Sequence, residues 1–308
     1  MVNMLPVFDR YAACPCGSGR KAKFCCNTVT GQWHKKPATV SPPPQLTNKA
    51  VVGCYLSTTN DCAGSLSREH YISHGILRQM GPSGKSAVYG LPWTKDEQFT
   101  RVSSESLVAK VLCKRHNEAL SPLDAEAARL KEIIGRFDAD FGTSAPMQDV
   151  AIVAGEDVER WMLKTLCSFV ASKQAKKNEL QPLDRWAAVL SGEEPWPAEW
   201  GLYLAVEDFQ HDRHYRFETF TKPSGEIAFV KLPINNVKFA FAMPETPGGY
   251  KGGIFRPRYL HFKQRNVRKT LILSWQNQIH QDWLEFTRAG KTSAETPDWP
   301  TYDVKDIR

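Results

Sequence analysis

Residues 112–124, LCKRHNEALSPLD, combine a thiol, an imidazole and an amide at the spacing Cys-x2-His-Asn. Cys113 and His116 come directly after the apolar run SLVAKVL of residues 106–112, which predicts a strand. A Cys-x2-His pair behind a strand is half of a tetrahedral zinc site, and the amide oxygen of Asn117 suits a hard divalent ion. We therefore expect the chain to be organised around this stretch.

A second half-site lies upstream of this stretch. Cys54 and Cys62 precede the tetrapeptide Ser-Arg-Glu-His of residues 67–70. Residues 51–56 and 65–72 have the length and composition of short strands. We predict that the two halves meet in one folded site.

Composition and length place the chain among soluble globular proteins. It has 308 residues, of which 42% are hydrophobic and 24% charged, and this predicts two or more domains. No run of eighteen apolar residues occurs, and the start MVNMLPVFDR lacks a secretory pattern. We expect a cytoplasmic protein with no membrane partner, whose eight cysteines favour metal over disulfides in that reducing compartment.

The net charge of +7 is unevenly distributed. Residues 1–50 hold seven Lys/Arg against one acidic residue, and residues 211–275 hold twelve against four. Residues 256–269, RPRYLHFKQRNVRK, carry six cations interleaved with aromatic side chains and no acid. This pattern favours nucleic acid as a partner, through phosphate contacts and stacking. Solvated faces, with a strand edge protected from aggregation, are the alternative interpretation.

A compact cysteine cluster stands near the N-terminus, in residues 11–26, YAACPCGSGRKAKFCC. Glycines on either side of Ser18 supply a tight turn between two cysteine pairs, because glycine accepts positive φ. Four thiolates at this spacing can close a tetrahedron around Zn²⁺, and so short a segment has no other means of ordering itself. The predicted zinc ligands are Cys14, Cys16, Cys25 and Cys26.

This cluster closely resembles the SEC-C motif, a small zinc-binding tail of translocase ATPases. The family pattern CxCxSGxxxKxCC is matched through Ser18, Gly19 and Lys23 as well as the cysteines. The resemblance covers thirteen residues and implies a zinc-stabilised docking knuckle with basic residues, through which a protein partner could bind.

The middle of the chain resembles the His-Asn-His (HNH) endonuclease fold, a ββα-metal unit. By position, the resemblance implies that Glu69 and Asn117 hold Mg²⁺ or a similar ion and that His70 deprotonates the attacking water. His74 is an alternative ligand. The resemblance also implies a structural zinc beside this site, held by Cys54, Cys62, Cys113 and His116. Two interpretations stay open beside it: a zinc-stabilised scaffold that binds without cutting, and a His70 that is only hydrogen-bonded in a core.

The rest of the sequence predicts an α+β protein. Ser121 and Pro122 form a helix-start signal, so we predict a break there before an amphipathic helix. Residues 157–176 predict a second helix with Cys167 as a buried thiol, residues 202–275 alternating strands, and residues 276–288 a last helix. The predicted units are a zinc knuckle (1–36), a Pro-rich linker (37–48), an HNH-like unit (49–140) and a helix plus antiparallel sheet domain (150–308).

These features lead to two functional hypotheses. The first is a metal-dependent endonuclease that hydrolyses phosphodiester bonds in nucleic acid, DNA rather than RNA, with one or two structural Zn²⁺. The alternative is a non-catalytic zinc-binding adaptor that docks on nucleic acid or a protein complex. His70 separates them, because the nuclease needs this imidazole and the adaptor does not.

Overall fold

The computed structural model describes most of the chain. The described residues are 8–40, 46–80, 85–89, 100–140, 147–174, 181–205, 215–216, 218–235, 237–246, 250–264, 267–276, 283–288 and 302–305.

Helices and strands alternate irregularly, in agreement with a mixed α+β class. The first half of the chain contains β1 (Leu66–His70), α1 (His74–Met80), β2 (Lys85–Tyr89), β3 (Thr100–Ser103), β4 (Val108–Cys113), α2 (Lys114–Asp140), β5 (Met147–Ala154) and α3 (Gly155–Ala171). The second half contains α4 (Leu183–Ser191), β6 (Gly201–Ala205), β7 (Tyr215–Arg216), β8 (Glu218–Thr221), β9 (Ile227–Ile234), β10 (Val237–Ala242), β11 (Gly253–Phe255), β12 (Tyr259–Gln264), β13 (Val267–Ser274), β14 (Trp283–Arg288) and β15 (Tyr302–Lys305).

Helix α2 is continuous through the predicted break. It begins at Lys114, directly after β4, and contains Pro122 in its interior. Proline has no N–H, so the carbonyl four residues earlier, on Glu118, loses its helical donor. The hydroxyl of Ser121 donates to that carbonyl at 2.8 Å instead. The Ser-Pro pair is therefore accommodated within the helix, and the prediction of a helix–break–helix was wrong.

Helix α3 lies at the centre of the molecule, in contact with α2, α4 and the strands β4, β6, β10 and β13. Nearly all of its side chains are buried, Trp161 and Leu166 among them. Cys167 is fully buried, as predicted for a core thiol. The largest hydrophobic cluster among the described residues contains side chains from Cys54 to Trp275.

Within the described ranges, the strands form four sheets. An antiparallel hairpin, β1–β4, pairs Leu66 with Cys113 and His70 with Val108, with a bulge between Ser67 and Glu69. A three-stranded sheet has the order β3-β2-β7. Two five-stranded sheets have the orders β11-β6-β10-β9-β8 and β15-β14-β12-β13-β5.

The second five-stranded sheet differs from the predicted antiparallel domain. Strand β13 pairs in parallel with β5, and β12 pairs in parallel with β14, so this sheet is mixed. Residues 283–288 are strand and not helix, because they pair with β12 on one side and β15 on the other. Residues 277–282, the start of the predicted last helix, lie outside the described part. Residues 51–56 form turns in place of the predicted strand.

The N-terminal cysteine segment packs on this mixed sheet. Buried Cys14, Ala22, Cys26 and Trp33 share an apolar cluster with Ile152, Tyr259 and Ile272 of the strands. Arg129 of α2 donates to the Pro15 carbonyl at 2.8 Å, and Lys35 pairs with the buried Glu126 of the same helix. These contacts fix the segment against the body of the molecule. Among the described residues, no helix is both long and apolar enough to cross a membrane.

Candidate metal centres

The first metal centre is the N-terminal group of Cys14, Cys16, Cys25 and Cys26. Their four sulfur atoms lie within 4.8 Å of one another. Zinc at its usual bond length to sulfur, in a tetrahedron, requires sulfur atoms about 3.8 Å apart. The Cys16–Cys25 and Cys25–Cys26 sulfur distances are 3.5 Å and 3.7 Å. The group therefore has the geometry to hold a metal ion, and four thiols favour zinc.

Local backbone geometry makes this closure feasible. Gly17 and Gly19 have φ of +77° and +73°, which confirms the predicted turn and which other residues rarely adopt. The Ser18 hydroxyl lies 3.3 Å from the Cys25 sulfur. Burial raises the pKa of the Cys14 and Cys26 thiols. Burial opposes ionisation of Cys16, but hydrogen bonds from Ser18, Cys14 and Cys25 together outweigh it and lower the pKa of this thiol to about 7. One thiol is thus ready to deprotonate near neutral pH.

The second centre joins the two predicted half-sites, Cys54 with Cys62 and Cys113 with His116. Their ligand atoms also lie within 4.8 Å of one another, and all four side chains are buried. The Nδ1 atom of His116 is 3.3 Å from the sulfur of Cys113, 3.5 Å from that of Cys54 and 3.7 Å from that of Cys62. Tetrahedral zinc requires sulfur–nitrogen distances of about 3.6 Å. This group, too, can hold a metal ion.

The far nitrogen of His116 has its own partner, which sequence analysis missed. Its Nε2 atom lies 3.2 Å from the hydroxyl of Thr59, and that hydroxyl donates to the Leu56 carbonyl at 2.8 Å. The hydroxyl must therefore accept from Nε2–H, which leaves Nδ1 free of a proton and available to a metal. Burial lowers the pKa of His116, which further favours the neutral, ligating imidazole.

A buried ion pair supports the loop that carries Cys62. Arg115 donates to the Asp61 carboxylate at 2.9 Å, and the other oxygen of Asp61 accepts from the Thr47 backbone N–H at 2.9 Å. Although burial opposes it, the Arg115 hydrogen bond lowers the pKa of Asp61. Through Asp61, the loop before Cys62 and the segment at Thr47 are therefore both linked to Arg115 in the first turn of α2.

The predicted cation ligand Glu69 is already paired with another residue. Its carboxylate is buried and accepts from the ammonium of Lys164 on α3, which also contacts the Asp124 carboxylate of α2. Burial disfavours the charge on Lys164, but the two carboxylates outweigh burial and raise the pKa of its ammonium. The sequence does not predict this triad. Its one available signal was a single lysine among the apolar residues WMLKTLC of an amphipathic helix.

The other two predicted catalytic side chains make separate contacts. The Asn117 amide donates to the Ser67 hydroxyl at 3.0 Å, and the His70 ring stacks on that of His74 with centroids 4.9 Å apart. Burial, followed by the charge of His74, lowers the pKa of His70. Within the described part of the chain, no hydrogen bond or ion pair joins Glu69, His70 and Asn117 to one another.

These contacts decide how well a catalytic Mg²⁺ fits. A hard dication requires free oxygen ligands, but the ammonium of Lys164 already holds the Glu69 carboxylate. No third group of three or more Cys, His, Asp or Glu ligand atoms converges within the described residues. The residues present therefore fit two zinc ions and do not fit a cation on Glu69 and Asn117.

Three of the six cations in the basic stretch at residues 256–269 are engaged inside the molecule. Arg256 pairs with the buried Glu159 at 2.8 Å, Arg258 donates to the Trp33 carbonyl, and buried Lys269 pairs with Asp140 at 2.8 Å. Of its aromatic side chains, Tyr259 and Phe262 are buried. These three cations and two aromatic side chains support the fold, whereas Arg268 is exposed.

Fold and sites together define a class: a mixed α+β protein with two four-ligand Cys/His groups able to hold metal ions. Comparison of the whole chain with known protein families, curated proteins and solved structures found no match.

Proposed function

We propose that this protein is a zinc-stabilised docking adaptor, in which both zinc ions are structural and the knuckle carries the binding surface. The observation behind this proposal is the closure of both metal groups by four protein ligands. Catalytic zinc sites keep one position for water or substrate, whereas structural sites use four protein side chains. A set of four cysteines and a set of three cysteines with one histidine belong to the second kind.

The exposed face of the knuckle has the chemistry of a binding surface. Tyr11 and Phe24 are both 62% exposed, which is unusual for aromatic side chains beside a stable core. The ammonium of Lys23 lies 4.0 Å from the Tyr11 ring centroid and 4.6 Å from that of Phe24. Arg20 and Lys21 are exposed next to them. Aromatic anchors beside cations suit an acidic partner.

An acidic protein surface is the partner that we favour over nucleic acid. Binding along a nucleic acid needs a continuous track of free cations. In the other basic stretch, Arg256, Arg258 and Lys269 are engaged internally, so they do not extend the knuckle surface into such a track. A compact aromatic and basic patch fits a localised acidic site better.

A direct test compares anionic probes on the zinc-loaded protein. Fluorescein-labelled poly-glutamate and labelled duplex DNA would be titrated at several salt concentrations and followed by fluorescence anisotropy. Arg20→Glu with Lys21→Glu should weaken poly-glutamate binding about tenfold or more, because local charge complementarity is reversed. Lys110→Glu reverses an exposed charge on β4 and is the matched control. Tighter binding to DNA than to poly-glutamate, or an equal loss of poly-glutamate binding in the Lys110→Glu control, would contradict the proposal.

Endonuclease activity remains the second candidate, supported by one observation. The Nε2 atom of His70 is buried without a hydrogen-bond partner among the described residues, and the lowered pKa of this imidazole favours its neutral form. A neutral imidazole with a free nitrogen can act as a general base. Plasmid nicking with Mg²⁺, Mn²⁺ or EDTA tests it. Metal-dependent nicking that disappears in a zinc-loaded His70→Ala variant would replace the adaptor proposal with the nuclease.

A further inference from the structure

A buried ammonium holds two carboxylates together between the hairpin and the helices. The Lys164 side chain is 2% exposed and contacts both Glu69, which is 6% exposed, and Asp124, which is 26% exposed. The Ser73 hydroxyl donates to the other oxygen of Asp124 and accepts from the Trp161 indole at 2.6 Å. Three elements, β1, α2 and α3, thus place their polar groups around a single positive charge.

Charge balance explains why these groups lie together. Two carboxylates removed from water repel one another unless a cation lies between them. The Lys164 ammonium is that cation, and it contacts both acids directly. A divalent ion bound to Glu69 would lie close to this ammonium and would be repelled by its charge.

We infer that Lys164 is a built-in cation that closes the Glu69–Asp124 site to divalent metal ions. The HNH resemblance assigns a metal ion to Glu69, and in this chain the ammonium takes that place. The wild-type protein therefore binds no Mg²⁺ or Mn²⁺ at Glu69. Without the lysine, two carboxylates would face a cavity of side-chain size, which has the oxygen ligands and the room for water that a hard cation needs. This inference does not depend on the docking proposal.

Mn²⁺ binding to zinc-loaded protein, measured by electron paramagnetic resonance, tests the inference. Wild type and the Glu69→Gln variant should bind the same amount of Mn²⁺, because wild type holds no ion at Glu69. Lys164→Ala should take up one Mn²⁺ per chain that wild type does not bind, and Mg²⁺ should displace it. The double variant Lys164→Ala/Glu69→Gln should lose this ion.

A matched control removes a buried lysine without leaving two acids behind. Lys131 on α2 is buried and donates to the Asn235 amide oxygen at 3.0 Å, so Lys131→Ala should gain no Mn²⁺. Lys164→Ser is the second variant if Lys164→Ala does not fold. A folded Lys164 variant with normal zinc content and no added Mn²⁺ would overturn the inference. The inference would also be overturned if wild type bound one Mn²⁺ that the Glu69→Gln variant lost. This comparison needs no lysine variant.

Discussion

Each metal ligand depends on neighbours that hold it in one orientation, and Thr59 does this for His116. Its hydroxyl accepts from the far imidazole nitrogen and is itself fixed by the Leu56 carbonyl. Loss of such a partner typically weakens metal binding about tenfold or more. We expect Thr59→Val to release zinc from this group about tenfold more readily, measured by competition with a chromogenic chelator. Thr58→Val, its exposed neighbour, is the control and should match wild type. Equal zinc retention in both variants would contradict the assigned role.

Zinc binding at the same group should depend strongly on pH. Burial raises the pKa of the Cys54 thiol to about 12 and also raises that of Cys62, so both are protonated in the metal-free protein at neutral pH. Zinc must displace these protons, so its affinity falls as the pH falls. We expect the binding constant to change by about two decades or more per pH unit between about pH 6 and 8. A zinc-binding constant that stays the same across this pH range in competition titrations would contradict this expectation.

Sequence spacing was enough to identify the two groups that can hold metal ions, but not the partners of their side chains. Successive cysteines of the N-terminal group are one to nine positions apart, so local turns can bring them together. The spacing alone therefore predicted this group. The second set needed one long-range contact, which the β1–β4 pairing supplies. Lys164 lies 95 residues from Glu69 in sequence, and no local pattern connects them. That contact arises from the packing of α3 against the rest of the core.

At the scale of single elements, the Ser121–Pro122 pair tests how α2 stays continuous. Ser121→Ala removes the donor to the Glu118 carbonyl and should lower the free energy of unfolding by about 0.5–1 kcal/mol, because the carbonyl is then unpaired. In a Pro122→Ala background the backbone N–H of residue 122 becomes the donor. There Ser121→Ala should cost nearly nothing. Denaturant unfolding of the four proteins measures this cycle, and equal costs in both backgrounds would exclude the compensation.

The elements also show where sequence periodicity succeeds and where it fails. Strands β9, β10 and β12 follow the predicted alternating runs. Strand β5 was missed because residues 151–154 are buried on both faces, as in parallel sheets, and so have no alternation. The helix start was misplaced because a Ser-Pro signal that usually caps a helix was satisfied inside one. Burial in the sheet decided the first case, and a local hydrogen bond from Ser121 to the Glu118 carbonyl decided the second.

At the scale of the whole molecule, the knuckle covers part of the mixed sheet. Ile152, Tyr259 and Ile272 pack against it, and the Ile152 N–H donates to the Pro15 carbonyl at 3.3 Å. Loss of the first zinc should therefore expose this face. We expect Cys14→Ser to speed hydrogen exchange at the Ile152 amide about tenfold, and to leave the β1–β4 hairpin unchanged. Cys54→Ser is the reciprocal control and should affect the hairpin end instead. Faster exchange throughout the chain in both variants would contradict a local role for each zinc.

The central claim is that two closed zinc sites organise this chain, and zinc counting by native mass spectrometry with X-ray absorption spectroscopy tests it most directly. We predict two zinc ions per chain, bound together by seven sulfur and one nitrogen donors from the two groups. No oxygen donor should contribute, because neither site keeps an open position. A single zinc, or a water oxygen in the coordination shell, would contradict the account.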